Sequence, residues 1–225
     1  MTRSPSTLTE LARLGFAELS AARDALGDLA EHLEAFGSAA DPDRALRMLV
    51  RLQEQHPDAL RPVLADPAWA ARVIRVLGAS EGLGDFLRRR PAEFAAEQLR
   101  RFLAAAVETA PAGTPAEVEQ ARTALRVRYR RWLLRIAAFD LEHGDAVEAL
   151  PLVAAALADL AGAALDASLQ VARAVSRFPA ADVARTRLAI IGMGKAGARE
   201  LNYISDVDVI YVAEGEVELE SARAV

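Results

Sequence analysis

The chain contains no cysteine, which excludes disulfides and thiolate metal sites at the outset. Histidine is nearly absent: His32, His56 and His143 lie far apart, and none sits in a metal-ligand motif. Aromatic residues make up only 5% of the chain, so a core must be built mainly from aliphatic and small side chains. An excess of basic charge is also missing. The formal net charge of −5 argues against non-specific nucleic-acid binding, and no nucleic acid is expected as a partner. No basic stretch followed by an apolar core opens the chain, so no secretory signal is read. The apolar stretches near residues 150–165 are interrupted by Pro151 and Asp159, so no membrane span is expected either. The default compartment is the cytoplasm.

What is present favours helix. Alanine, leucine and arginine dominate a chain of 225 residues, which has room for one large or two small domains. With 52% hydrophobic and 26% charged residues, it has the composition of a soluble globular protein. After a lead-in over residues 1–8 with helix-start signals at Ser6, Thr7 and Thr9, apolar residues recur at helical spacing from Leu11 to Phe36. The spacing predicts one helix there, stopped by Gly37-Ser38. Asp41-Pro42, His56-Pro57 and Asp66-Pro67 each read as a helix start with proline at the first helical position. Gly78, Gly82 and Gly84 punctuate short helices around 73–77 and 86–90, and helix resumes from Pro91 to about Thr109. Pro111 to Pro115 is a linker-like loop. A long helix then runs to about His143, and another from about Asp145 or Leu150 to Arg177.

Pro179 marks a change of character. Arg187 to Ile191 is strand-like and ends at Gly192; a helix is predicted over Lys195 to Tyr203, and a buried strand over Val207 to Val212. The expected organisation is a helical region over 1–184, with a loop near 110–115, followed over 185–225 by an incomplete α/β domain. Two strands do not make a stable sheet by themselves, so the chain reads as a fragment whose sheet continues past Val225.

The chemistry concentrates in residues 192–211. Asp206 and Asp208, two residues apart at the start of a strand, are expected to project to one face a few ångströms from each other. Carboxylates held that close repel unless a cation lies between them, and a hard divalent ion such as Mg²⁺ suits oxygen ligands. The preceding glycine turn, Gly192, Gly194, Lys195, Gly197 and Ala198, offers backbone N–H groups and close approach to a phosphate. A metal site beside a phosphate cradle points to phosphoryl or nucleotidyl transfer. Gly192-x-Gly194-x-x-Gly197 also satisfies the dinucleotide-binding fingerprint, with Glu214 where a ribose-binding acid belongs. That alternative gives no reason for the acid pair at the start of its second strand, and the acid pair decides against it. The plain alternative makes Asp206 a loop or cap residue after Ser205 and Asp208 an edge-strand charge. Arg199 and Glu200 read as exposed helix residues that pair, and Asn202 as a satisfier of backbone groups in the turn. Arg126, Arg128, Arg130, Arg131 and Arg135, interleaved with Tyr129 and Trp132, read first as a solvated basic helix face and second as a contact surface.

The run from Gly192 to Tyr211 closely resembles the signature of the bifunctional glutamine synthetase adenylyltransferase/adenylyl-removing enzymes. The blocks Leu77 to Leu87 and Leu125 to Ala137 are similar to that family as well, and the resemblance covers most of residues 40–213. It implies a mainly α-helical N-terminal region followed by the start of a nucleotidyltransferase domain with a polymerase-β-like mixed sheet, cut short here. It implies that Asp206 and Asp208 hold Mg²⁺, and that Gly192, Gly194, Lys195, Gly197, Ala198 and Ser205 face the nucleotide. The substrates would be ATP or ADP and phosphate. The partners would be glutamine synthetase and a PII-type nitrogen signalling protein. The N-terminal position of the motif points to the adenylyl-removing, phosphorolytic half. Ala198 departs mildly from the Gly-Gly or Gly-Ser common at that turn, and the third carboxylate of such a site has no candidate in strand context from Glu214 to Val225. A fragment of this kind is expected to be inactive alone. A helical protein-interaction module remains the third reading.

Overall fold

A computed structural model describes residues 7–94 and 115–214, and the structural statements below concern these residues. The chain divides into two compact units. The first gathers residues 7–94 and Ala137–His143; the second holds 115–136 and 144–214.

The first unit is built from α1 (Leu8–Arg13), α2 (Leu19–Leu26), a 3₁₀ turn (Gly27–His32), α3 (Leu33–Gly37), α4 (Pro42–Gln55), α5 (Pro57–Leu64), α6 (Pro67–Ala79) and α7 (Glu81–Arg89). The proline-marked helix starts hold. Asp41 caps α4 by accepting from Arg44 N–H, and Asp66 caps α6 by accepting from Ala68 and Trp69 N–H. The α4 helix lies at the centre and packs most closely on α6. Leu11, Phe36, Leu49, Leu60, Ile74 and Leu77 are fully buried. Each contributes about 1.5–3 kcal/mol by leaving water. The buried Asp43 carboxylate accepts from the N–H groups of Ala17 and Glu18, 2.7 and 3.2 Å away, and so satisfies the start of α2 from a neighbouring helix.

Two expectations fail in this unit. The single helix predicted from Leu11 to Phe36 is three short helices and a 3₁₀ turn, broken at Gly15 and Gly27, whose φ values are +87° and +42°. Gly78, Gly82 and Gly84 lie inside helices rather than between them. At Gly84 a Cβ would come within 2.3 Å of the Met48 methyl carbon, so the missing side chain lets α7 close on α4. The helix predicted from Pro91 begins as a 3₁₀ turn, Pro91–Phe94, and its remainder to Thr109 lies outside the described residues, as does the loop Pro111 to Thr114.

The second unit contains most of α8 (Pro115–Glu142), then α9 (Ala146–Ala174), α10 (Ala180–Arg185), β1 (Arg187–Gly192), α11 (Gly194–Gly197) and β2 (Val209–Glu214). On α8 the Arg135 guanidinium lies over the Trp132 ring, 4.6 Å from its centroid. Asp145 caps α9. Pro151 sits inside α9 without ending it, so α9 is a 29-residue helix long and apolar enough, by length and composition alone, to cross a membrane. The expectation that Pro151 and Asp159 interrupt this stretch is corrected to that extent. The Arg173 guanidinium donates to the carbonyl of buried Thr186, tying the end of α9 to the entry of β1.

β1 and β2 pair antiparallel, from Arg187 opposite Glu214 to Gly192 opposite Val209. This arrangement overturns the dinucleotide-binding alternative. That fingerprint joins parallel strands through a long crossover helix, whereas here the strands are antiparallel and the helix between them has four residues. Glu214 lies across the sheet from Arg187, at 4.0 Å, not at a ribose site. Two further boundaries shift. The helix predicted over Lys195 to Tyr203 is confined to Gly194–Gly197, and the second strand starts at Val209 rather than Val207.

Candidate functional site

The local geometry begins with the glycines. Gly194 adopts φ +50°, a conformation that costs a side-chain-bearing residue. Gly197 lies so close to the end of β1 that a Cβ would meet the Gly192 carbonyl oxygen at 2.3 Å. Gly197 is therefore explained by the close contact of the short helix α11 with the strand it follows, and Gly194 by its backbone conformation. The N–H groups of Gly197 and Ala198 donate to the carbonyls of Met193 and Gly194, inside the turn.

The chain leaves α11 through a Schellman turn. Glu200 N–H donates to Lys195 C=O at 2.8 Å, and Arg199 N–H to Ala196 C=O at 3.3 Å. The left-handed position of this motif, where glycine is usual, is filled by Arg199 with φ 59°. Its side chain reaches α9: Nε donates to Asp159 Oδ1 at 3.1 Å and Nη2 to Oδ2 at 2.6 Å. The hydrogen bonds and charge of Asp159 raise the Arg199 pKa above the ordinary guanidinium value. The expected pairing of Arg199 with Glu200 is thus replaced by a fork on a residue 40 positions earlier. The one carboxylate in the apolar run from Pro151 to Leu165 was the available signal.

Lys195 is the one lysine of the chain. Its Nζ donates to Asn202 Oδ1 at 3.2 Å, while Asn202 Nδ2 donates to Ile204 C=O at 3.1 Å. Asn202 therefore satisfies the backbone as predicted and also carries the ammonium. Leu201 beside it is buried and Ile204 is 93% exposed.

Asp206 and Asp208 lie in the segment entering β2, not within the strand. Asp208 is nonetheless in register: its carbonyl accepts from Met193 N–H at 2.9 Å, one step beyond the Gly192–Val209 pair. The hairpin thus sets the Asp208 backbone directly against Met193, the residue that follows β1 in the glycine turn. Both carboxylates are exposed, and among the described residues no cationic side chain pairs with either. Ser205 precedes them, half-buried. Exposed carboxylates are the donor type that Mg²⁺ takes, the ion being commonly held by one or two carboxylates with water and substrate phosphate completing its shell. Among the described residues no third acid or histidine gathers with them.

Fold and site together define a mainly helical protein whose glycine-turn hairpin delivers an exposed pair of carboxylates. The family model for glutamate-ammonia ligase adenylyltransferase matches residues 69–225. The chain is 50% identical over 240 residues to the bifunctional glutamine synthetase adenylyltransferase/adenylyl-removing enzyme of Leifsonia xyli subsp. xyli, covering 96% of this chain and 24% of that protein. It is 47% identical over 229 residues to the enzyme of the same name from Streptomyces coelicolor, covering 94% of this chain and 22% of that protein. No solved structure matches. The chain belongs to the glutamate-ammonia ligase adenylyltransferase family, and it spans less than a quarter of the length of these two relatives.

Proposed function

We propose that this chain is part of an enzyme that attaches and removes adenylyl groups on glutamine synthetase, and that it belongs to the adenylyl-removing half. In this reading 1–184 form the helical region, and 185–225 open a nucleotidyltransferase domain of polymerase-β type. The observation that carries the reading is the antiparallel hairpin, which sets the Asp208 backbone one hydrogen bond from Met193 in the glycine turn. The names of the relatives support the substrate, and a PII-type signalling protein is the proposed regulator.

Asp206 and Asp208 would hold Mg²⁺, which when bound neutralises charge on the phosphodiester. Phosphate attacks the phosphorus of the AMP–tyrosine bond; that bond breaks, ADP leaves, and the tyrosine oxygen recovers a proton. The Lys195 ammonium, steadied by Asn202, is the cation the turn offers to a phosphate oxygen. Gly197 and Ala198 give close approach rather than N–H donors, because theirs are used within the turn. Gly192, Gly194 and Ser205 complete the proposed nucleotide-facing set. Replacing Asp206 or Asp208 by Asn in the native-length protein is expected to lower phosphate-dependent release of ADP from adenylylated glutamine synthetase by about 1,000-fold, with thermal stability unchanged. Wild-type release by Asp206→Asn overturns the assignment.

A further inference from the structure

We propose that Arg199 is a positioning residue, whose fork on Asp159 of α9 sets where the glycine turn and the Asp206–Asp208 segment sit. The proposal rests on the nucleotidyltransferase reading given above.

The residue type at this point is informative. Position 199 is the left-handed residue of a Schellman turn, where glycine carries no conformational penalty. An arginine there is disfavoured by its backbone, so its presence requires something its side chain supplies. The side chain supplies two parallel hydrogen bonds to one carboxylate, from Nε and Nη2. Such a fork fixes distance and angle together, which a lysine's single point charge does not. Its anchor is well suited to the task, since Asp159 lies near the middle of a 29-residue helix capped by Asp145. The turn also packs on that helix.

The fork places rather than strengthens. Both side chains are more than half exposed, and exposed ion pairs add little to stability. Geometry is another matter. From Arg199 only six residues intervene before Asp206. Buried Leu201 lies within that stretch, as does Asn202, which accepts from Lys195 on the other side of Arg199. A shift of the turn is therefore passed to the lysine and to the acid pair together. A misplacement of about 1 Å can cost a catalytic site about 100-fold.

The test uses the native-length protein and four variants: Asp159→Asn, Arg199→Gly, Arg199→Lys and the exchange of Asp159→Arg with Arg199→Asp. Arg199→Gly is the sharpest, because it removes the fork while relieving the backbone. Asp159→Asn and Arg199→Gly are each expected to lower kcat for adenylyl removal by about 10- to 100-fold, with KM within about two-fold and melting temperature not lowered. Amide exchange over residues 194–208 is expected to quicken in both variants. Arg199→Lys is expected to fall between, and the charge exchange to recover part of the loss. Unchanged exchange over 194–208, or a loss of kcat that merely follows a lowered melting temperature, overturns the proposal. Should Asp206→Asn also keep full activity, the functional reading has failed. Exchange alone then judges the fork: faster exchange sustains it, and unchanged exchange overturns it.

Discussion

The helical unit around α4 and the hairpin that carries the acid pair use apolar residues in opposite ways. In the first, Leu49, Leu60, Ile74 and Leu77 are fully buried, and even glycines serve packing, as Gly84 does against Met48. In the second, Ile191, Ile210, Tyr211 and Val212 are strand formers that remain about half exposed. The few tight constraints of the hairpin lie instead in its turn, at Gly197, Arg199 and Asn202. Residue choice in the helical unit answers to burial, and in the turn it answers to close backbone approach and specific polar contacts.

The difference can be broken or sharpened by substitution. Outside the acid pair, the largest effect on activity is expected at Gly197→Ala, where the new Cβ meets a backbone oxygen rather than a side chain that can move aside. On the proposed reading, adenylyl-group removal by the native-length protein should fall by about 100-fold, read in a single-turnover assay. A fully active Gly197→Ala protein would place the turn on the same footing as the helices. Ile74→Ala should act through stability instead, costing about 2–5 kcal/mol by denaturant titration, with activity per folded molecule retained. Asp43→Ala leaves two N–H groups at the start of α2 without their acceptor, and a loss of about 1–3 kcal/mol is expected in the same titration. Ile204→Ser should be felt least, within about 0.5 kcal/mol, because the side chain is 93% exposed. A cost above about 1 kcal/mol at Ile204 would show that the hairpin's apolar surface is covered after all.

Much of the helical unit was legible from local signals. Asp41-Pro42 and Asp66-Pro67 announce helix starts because cap and proline act within one turn, and the structure keeps both. Gly78 and Gly84 misled for the opposite reason. A glycine's local meaning is a break, but its role here is set by helices that approach from elsewhere in the sequence. The hairpin shows the same division. The strand-like runs and the acid pair were visible as patterns, whereas the direction of pairing was not, and the antiparallel register removes the dinucleotide reading.

The helical character, the capped starts, the two strands and the grouping of glycines, Lys195, Asp206 and Asp208 within twenty residues follow from the order of the residues, because each depends on neighbours along the chain. The antiparallel course of β1 and β2, the placing of Asp208 against Met193 and the reach of Arg199 to Asp159 come from the folded arrangement instead. Those contacts depend on which distant segments share space, and packing settles that after local preference has been spent.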